Sequence, residues 1–330
     1  MNPLPWIIIL VILVVGFDFL NGFNDSADIA AGIISSRSMR ARTALMLAAL
    51  AGFTGPFIFG VAVAKTIVTG ITLPEIITIK TLIAAMISAC IWGLITWAYG
   101  IPSSSSHALI GGLIGSIIIS SGFKAIMTNS IIRIFTVLLI SPIAGLIFGW
   151  LSIKLIRRLL KNATPKANYF FKLGQIPTAI ALATSNGAND AQKTMGVITM
   201  ALMVTGYQQE FFVPVWVICV CAGTKFLGSM IGGWRVIRVM GTRLFKIKPV
   251  HSFASQLSSA IVIISSSLFG SPVSTTQVVN MSLVGAGAGE RVSKVRWMAV
   301  KGILLSWLLT IPITGGLAMV IYFLLKMFFH

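Results

Sequence analysis

Two Gly-x-Asn-Asp motifs place an amide and a carboxylate side by side within apolar sequence. They contain Asn24-Asp25 and Asn189-Asp190. A carboxylate inside a bilayer costs roughly 2.5–3.5 kcal/mol on insertion scales, so each pair needs a structural or functional reason. Such a pair can cap backbone groups freed at a helix break, or it can coordinate a hard cation such as sodium through carboxylate, amide and carbonyl oxygens. Because the pair occurs twice, we favour coordination of a cation, with a proton on the carboxylate as the alternative.

Two runs of hydroxyl side chains follow prolines further along the chain. Pro102 precedes Ser103–Ser106, and Pro272 precedes Val273–Thr276. We predict that a helix begins at each run, with Ser271 as the N-cap of the second and Pro272 at its first position. The free N–H groups and positive dipole end of such a helix, beside hydroxyls, form a site for an oxyanion without Arg or Lys. Ser and Thr can also simply pack within membrane helices, but the recurrence of the run favours the anion site.

The two kinds of motif recur in the same order at nearly the same spacing. Asp25 precedes Ser104 by 79 residues, and Asp190 precedes Ser274 by 84 residues. This pattern predicts an internal repeat whose motifs meet at one site. Hydroxyls and amides would hold a tetrahedral oxyanion there, and cations on the carboxylates would offset the repulsion between anion and Asp.

The amino-acid composition indicates the class of protein to which these motifs belong. The chain has 330 residues, of which 56% are hydrophobic and 10% are charged. A soluble chain carries about 25% charged residues, so we expect an all-α polytopic membrane protein and exclude a soluble enzyme or a disordered chain. The net charge of +18 comes from basic residues gathered in short loops, as the positive-inside rule predicts, and we therefore expect no nucleic-acid partner.

The lengths of the apolar stretches predict irregular membrane helices. A straight crossing needs about 20 residues. Residues 6–36 and 174–205 are too long for one crossing and predict broken helices, whereas 81–120 and 253–288 are long enough for re-entrant hairpins. The remaining apolar stretches are residues 43–64, 134–153, 213–234 and 302–325.

The positions of the basic loops predict how the chain lies in an inner cell membrane. With all basic loops in the cytoplasm, the N-terminus lies outside and the second half is an upside-down copy of the first, with a binding site at the midplane. The predicted units are a first repeat over 1–160 with its hairpin around 100–120, a basic cytoplasmic loop over 161–173, and a second repeat over 174–330 with its hairpin around 270–288.

These motifs resemble the inorganic phosphate transporter (PiT) family over essentially the whole chain. The resemblance lies in Gly187-Ala188-Asn189-Asp190, in its counterpart around Asn24-Asp25 and in the Pro-Ser-Ser/Thr hairpins, and the segment from Asn189 to Gly196 is typical of prokaryotic members. It implies phosphate uptake by symport with sodium or protons, an inverted-repeat fold with two re-entrant hairpins, and a homodimer. It implies no enzymatic activity and no cofactor other than the coupling ions.

The resemblance implies phosphate at the six hydroxyl residues and a cation at the two Asn-Asp pairs, and the other members of each set are our own expectation. We expect phosphate to contact Ser104, Ser105, Ser106, Ser274, Thr275, Thr276, Asp25 and Asp190. We expect sodium to contact Asn24, Asp25, Asn189, Asp190, Ser103 and Gln277. The first motif departs from the family pattern because Asp28 stands where the family has Asn, which leaves the number of coupling ions open.

Several neighbouring residues and other functions stay open. Asp18 lies about two helical turns before Asp25 and can line the same path, Lys193 can pair with Asp190 or reach substrate, and a contact between His107 and Gln277 is the simplest role for that pair.

Proton coupling, with phosphate, a metal–phosphate complex or sulfate as cargo, is the nearest alternative. An intramembrane aspartyl protease would use Asp25 and Asp190 as a dyad, but it leaves the hydroxyl runs unexplained. We favour sodium because the Asn-Asp pairs offer neutral oxygens as well as charge.

Overall fold

The computed structural model describes residues 3–161 and 166–328, and within these ranges the chain is helical and contains no β-strand. The first six helices are α1 (Leu4–Ser35), α2 (Ala41–Phe59), α3 (Ala62–Gly70), α4 (Ile79–Tyr99), α5 (Ser105–Ser121) and α6 (Thr128–Leu159). The other six are α7 (Ala167–Val204), α8 (Val215–Ile231), α9 (Trp234–Arg243), α10 (Pro249–Leu268), α11 (Thr275–Glu290) and α12 (Trp297–Phe328).

Five of the described helices are long and apolar enough to cross a membrane, namely α1, α2, α4, α6 and α12. Their outer faces carry large apolar side chains in contact with the surroundings, such as Leu139 on α6 and Leu308 on α12, which are 66% and 73% exposed. An exposed apolar surface of this kind suits lipid rather than water. The predicted all-α polytopic membrane architecture is confirmed.

Helices α1 and α7 run without interruption through the Asn-Asp motifs, so the predicted helix breaks at these motifs are wrong. α1 has 32 residues and α7 has 38. Apart from the pair of Asp190 with Lys193 within α7, the motif side chains that have partners bond to other helices and to the connections between them instead of capping their own backbone. At 1.5 Å per residue α7 is about 57 Å long, so it extends well beyond the roughly 30 Å hydrocarbon layer. It begins at Ala167, inside the predicted loop 161–173, while residues 162–165 of that loop lie outside the described ranges.

Two helical hairpins occupy the predicted stretches. The first hairpin consists of α4 and α5, and the second consists of α10 and α11. Each turns at a glycine in the left-handed region, Gly100 and Gly270, both with φ of +64°. The first helix of each hairpin therefore ends in an equivalent turn.

The second helix of each hairpin is capped by a serine. The Ser104 hydroxyl accepts the His107 N–H at 3.1 Å, and the Ser274 hydroxyl accepts the Gln277 N–H at 3.4 Å. The predicted cap at Ser271 and the predicted first helical position at Pro272 are wrong, because α11 begins at Thr275 with Ser274 as its N-cap. Both hairpin helices therefore start at equivalent residues, one after each capping serine.

The packing of these helices follows the same pattern in both halves. α5 packs against α12, and α11 packs against α6. α7 lies at the centre against α2, α3, α8 and α10, and most of its residues from Ala179 onward are buried. The order of elements in α1–α6 thus recurs in α7–α12, whereas the opposite orientation of the two halves in the membrane stays a prediction.

Candidate functional site

Four buried charged side chains form one cluster where α1, α7 and α8 meet. This charge cluster consists of Asp25, Asp190, Lys193 and Lys225, whose exposed fractions are 3%, 1%, 3% and 7%. Two positive and two negative groups balance one another. Buried ions persist only when they are paired and hydrogen-bonded, and each member of the cluster meets this condition.

Lys225 joins the two Asn-Asp motifs. Its Nζ lies 3.0 Å from Asp25 Oδ2 and 2.8 Å from Asp190 Oδ2, and it donates a third hydrogen bond to Asn186 Oδ1 at 3.2 Å. Gly22, the glycine of the first motif, allows this approach because a Cβ there would collide with the Lys225 carbonyl. The sequence prediction missed Lys225. The available signal was a single charged residue in the otherwise apolar helix α8, which in a membrane protein marks a functional position.

Lys193 joins α7 to both hairpins. Its Nζ lies 2.5 Å from Asp190 Oδ1, and it donates to Ser106 Oγ at 2.6 Å and to the Val273 carbonyl at 2.7 Å. Ser106 Oγ also donates to the Val273 carbonyl at 2.9 Å. The start of α5 is therefore in direct contact with the connection of the second hairpin.

The first turn of α11 reaches the same cluster. Thr275 Oγ1 donates to Asp190 Oδ2 at 2.8 Å, and Thr276 Oγ1 donates to Asp25 Oδ1 at 3.3 Å. Together with Ser106, these hydroxyls place the N-termini of α5 and α11 beside both carboxylates. The structure thus brings together three of the six hydroxyl residues that the sequence assigned to phosphate.

Of the three remaining hydroxyl residues, Ser105 borders a cavity beside the first motif, and the other two have structural roles. Ser104 and Ser274 are the helix caps described above, so their oxygens are engaged by backbone N–H groups. Gln277 Nε2 and His107 Nδ1 lie 2.7 Å apart, which confirms the expected contact between this pair. Ser103 Oγ lies 2.9 Å from the Thr96 hydroxyl.

A small cavity lies beside the first Asn-Asp motif. Its volume is about 20 Å³, and its polar lining consists of Asn21, Asn24, Asp25, Ser103 and Ser105. The amide oxygen of Asn24 is buried and has no hydrogen-bond partner among the described residues. A space of this size holds one water-sized species, so it also suits a bare monovalent cation surrounded by carboxylate, amide and hydroxyl oxygens.

The second Asn-Asp motif is fully bonded. Asn189 Oδ1 accepts the Val273 N–H at 3.3 Å, and Asn189 Nδ2 donates to Ser267 Oγ at 3.0 Å and to the Ser271 carbonyl at 3.3 Å. The two oxygens of Asp190 are bound by the lysines and by Thr275. The two motifs therefore differ: the first borders an open space, and the second holds the connection of the second hairpin.

Two further carboxyl groups are buried on α1. Asp18 is fully buried beside Thr194 and Cys221, yet neither of its oxygens has a partner in hydrogen-bonding geometry among the described residues. Asp28 Oδ2 likewise lacks a partner. Both groups need either a proton or a bound cation, because an unpaired charge is very costly to bury.

Comparison with known proteins gives the family of the chain. Residues 21–318 match the phosphate transporter family. A probable low-affinity inorganic phosphate transporter of Bacillus subtilis is 39% identical and covers 98% of both chains. A protein of the same description from Rhizobium meliloti is 37% identical over 97% of this chain and 96% of its own.

A solved structure shares the fold. It is described as the sodium-dependent phosphate transporter, and it superposes with a TM-score of 0.88 and 23% identity over 98% of this chain and 100% of its own. The protease alternative fails, because the family is one of transporters and because Lys225 bonds to both Asp25 and Asp190. The chain belongs to the phosphate transporter family.

Proposed function

We propose that this protein imports inorganic phosphate by symport with sodium, through alternating access to a site between the two hairpins. The observation that carries the proposal is the meeting of the first turns of α5 and α11 at one buried charge cluster. Membership of the phosphate transporter family supports phosphate as the cargo.

The helix starts supply the groups that an oxyanion requires. The N-termini of α5 and α11 carry free N–H groups and the positive ends of their dipoles, and Ser105, Ser106, Thr275 and Thr276 add hydroxyl donors. Asp25 and Asp190 can accept a hydrogen bond from protonated phosphate, which fully ionised sulfate cannot donate. The hydroxyls of Thr275 and Thr276 would move from these carboxylates to phosphate oxygens when the substrate binds.

The lysines keep the carboxylates from repelling the substrate. Lys193 and Lys225 each make three bonds to oxygen atoms, so their ammonium hydrogens are already used. Their contribution is therefore charge compensation of Asp25 and Asp190, not direct donation to phosphate.

We assign the sodium ion to the cavity of the first motif. Asn24, Asp25 and Ser103 border it and supply amide, carboxylate and hydroxyl oxygens. A sodium ion there would stand next to the start of α5 and add the positive charge that favours entry of phosphate. Asn189, Asp190 and Gln277, the other predicted sodium ligands, would have to give up their present hydrogen bonds to bind a second ion.

Transport requires the two hairpins to open in turn. We propose that the hairpin of α4 and α5 gates one side and that of α10 and α11 gates the other. The bonds of Ser106 and Lys193 to the Val273 carbonyl would break on opening. The proposal includes an inverted repeat, a location in the inner cell membrane, an external N-terminus and a homodimer.

Proton coupling is the second candidate. Asp18 and Asp28 are buried and carry unpartnered oxygens, so they are suited to bind and release protons. In that case the cargo would be phosphate or a metal–phosphate complex accompanied by protons.

Uptake of labelled phosphate into proteoliposomes tests both candidates. A sodium gradient and a proton gradient are imposed separately, with sulfate as competitor and protein-free liposomes as background. We expect uptake that requires sodium and is insensitive to sulfate. Uptake driven by protons alone would select the second candidate, and strong competition by sulfate would contradict phosphate as the preferred cargo.

A further inference from the structure

The ammonium group of Lys193 sits among oxygens of three kinds. They are a carboxylate oxygen of Asp190, the hydroxyl of Ser106 and the carbonyl of Val273, all between 2.5 and 2.7 Å from Nζ. Carboxylate, hydroxyl and carbonyl oxygens are also the ligands that transporters offer to sodium. The ammonium group of Lys193 therefore occupies a position whose oxygen ligands resemble those of a cation site.

This place corresponds to the cavity of the first motif. In the repeat, Asp190 matches Asp25, and the segment Pro272-Val273-Ser274 matches Pro102-Ser103-Ser104. Asp25 and Ser103 border the cavity, whereas Asp190 and Val273 bind Lys193. Equivalent positions therefore surround a cation-sized space in one half and an ammonium group in the other.

The residue three positions after the motif aspartate carries opposite charge in the two halves. Lys193 lies three residues after Asp190, and Asp28 lies three residues after Asp25. The half that has the lysine has a fully bonded Asn189, and the half that lacks it has an unpartnered oxygen on Asn24. The first half therefore still offers a free amide oxygen to a cation, and the second half does not.

We propose that Lys193 is a tethered cation that fills the second-repeat counterpart of the sodium site and that the unpartnered Asp18 and Asp28 carry protons, so that at most one sodium ion accompanies each phosphate. The inference rests on the proposed function. An ammonium group has the same charge as sodium but cannot leave with the substrate. The second half is therefore ready for phosphate without a dissociable ion, and coupling resides in the first half.

The test is the sodium dependence of phosphate binding to purified protein. Labelled phosphate is titrated at several sodium concentrations into the wild type, Lys193→Ala, Lys193→Met and Lys301→Met, whose lysine is exposed on α12. In Lys193→Ala the truncated side chain leaves space for an ion beside Asp190. By mass action we expect the slope of log affinity against log sodium concentration to steepen by about one relative to wild type.

The other variants separate this role from a structural one. Lys193→Met fills the space without charge, so we expect weak phosphate binding at every sodium concentration and the wild-type slope. Lys301→Met should match wild type. An unchanged slope in Lys193→Ala, or loss of phosphate binding at all sodium concentrations in both Lys193 variants, overturns the tethered cation.

A measurement on the wild type covers the case in which Lys193→Ala does not fold. The ratio of labelled sodium to labelled phosphate taken up by proteoliposomes should not exceed one ion per phosphate, and a ratio of two or more overturns the inference. A wild type whose phosphate binding ignores sodium contradicts sodium symport instead. In that event a sodium dependence newly acquired by Lys193→Ala still supports the tethered cation.

Discussion

The hydroxyl of Thr275, the first residue of α11, donates a hydrogen bond to Oδ2 of Asp190 in α7 at 2.8 Å. The same carboxylate oxygen binds Lys225. The first turn of α11 is therefore attached to the charge cluster through the oxygen atom that Lys225 also binds, and Thr276 adds a second bond, to Asp25. In the proposed mechanism, a phosphate ion that takes up the Thr275 hydroxyl breaks its bond to Asp190, which would link substrate binding to the opening of the hairpin.

Replacing Asp190 by Asn should abolish coupled uptake. The change leaves Lys193 and Lys225 buried with only Asp25 as counter-charge, and breaking a buried pair costs about 3–5 kcal/mol. Labelled-phosphate uptake into proteoliposomes should fall at least tenfold. Glu210→Gln, the same chemical change at an exposed position, is the matched control and should retain uptake. Normal uptake with unchanged sodium dependence in Asp190→Asn would rule out this role.

Replacing Lys225 by Met should destabilise the protein. Asp25 and Asp190 would then lose their shared cation, and the cost of an uncompensated buried charge is again about 3–5 kcal/mol. Thermal unfolding in detergent should show a lower midpoint than Lys301→Met, and added sodium should recover part of the loss. Equal midpoints for the two variants would mean that Lys225 does not hold the cluster together.

Replacing Asn24 by Leu should raise the sodium concentration needed for phosphate binding. The change removes the unpartnered amide oxygen at the cavity but keeps its volume filled. Hydrogen-bonding or coordinating a charged group contributes about 1.5–3 kcal/mol, so the half-saturating sodium concentration should rise at least tenfold. Asn129→Leu, at an exposed position, controls for the substitution. A phosphate affinity reduced equally at all sodium concentrations would contradict the sodium site.

Replacing Gly187 by Ala should loosen the packing of α2 on α7. A Cβ at Gly187 would overlap the backbone of Gly52, and overpacking typically costs about 1–3 kcal/mol. The thermal midpoint should fall relative to Gly16→Ala, because a Cβ at Gly16 meets no atom within 4 Å. A lower midpoint for Gly187→Ala would show that the motif glycine serves the contact between α2 and α7. Equal midpoints for the two variants would show that these helices can separate without a loss of stability.

Much of the site follows from the sequence because the motifs repeat. The convergence of Asp25, Asp190 and the hydroxyls of Thr275 and Thr276 is what two copies of one motif around a shared centre predict. Lys225 was not predictable from spacing, since it lies 35 residues from Asp190 and 200 from Asp25 and belongs to no repeated motif. Only its charge in an apolar helix indicated a role.

The helix boundaries were harder to predict for a physical reason. Polar motifs in α1 and α7 resemble helix breaks, but Lys225 binds both Asp25 and Asp190, and the connection of the second hairpin binds Asn189. The N-cap of α11 lies at Ser274 instead of Ser271, and the side chain of Asn189 holds the preceding connection through the Ser271 carbonyl and the Val273 N–H. Both differences depend on contacts between distant segments, which local sequence does not contain.

The most direct test of the phosphate site is equilibrium binding of labelled phosphate to the double variant Ser105→Ala/Thr275→Ala. These hydroxyls flank the starts of α5 and α11, and each hydrogen bond to a charged ligand contributes about 1.5–3 kcal/mol. Thr136→Ala/Ser121→Ala removes two exposed hydroxyls as the control. We expect the affinity of the double variant for phosphate to fall at least a hundredfold while the control binds like wild type. Wild-type affinity in the double variant would contradict a phosphate site between the two helix starts.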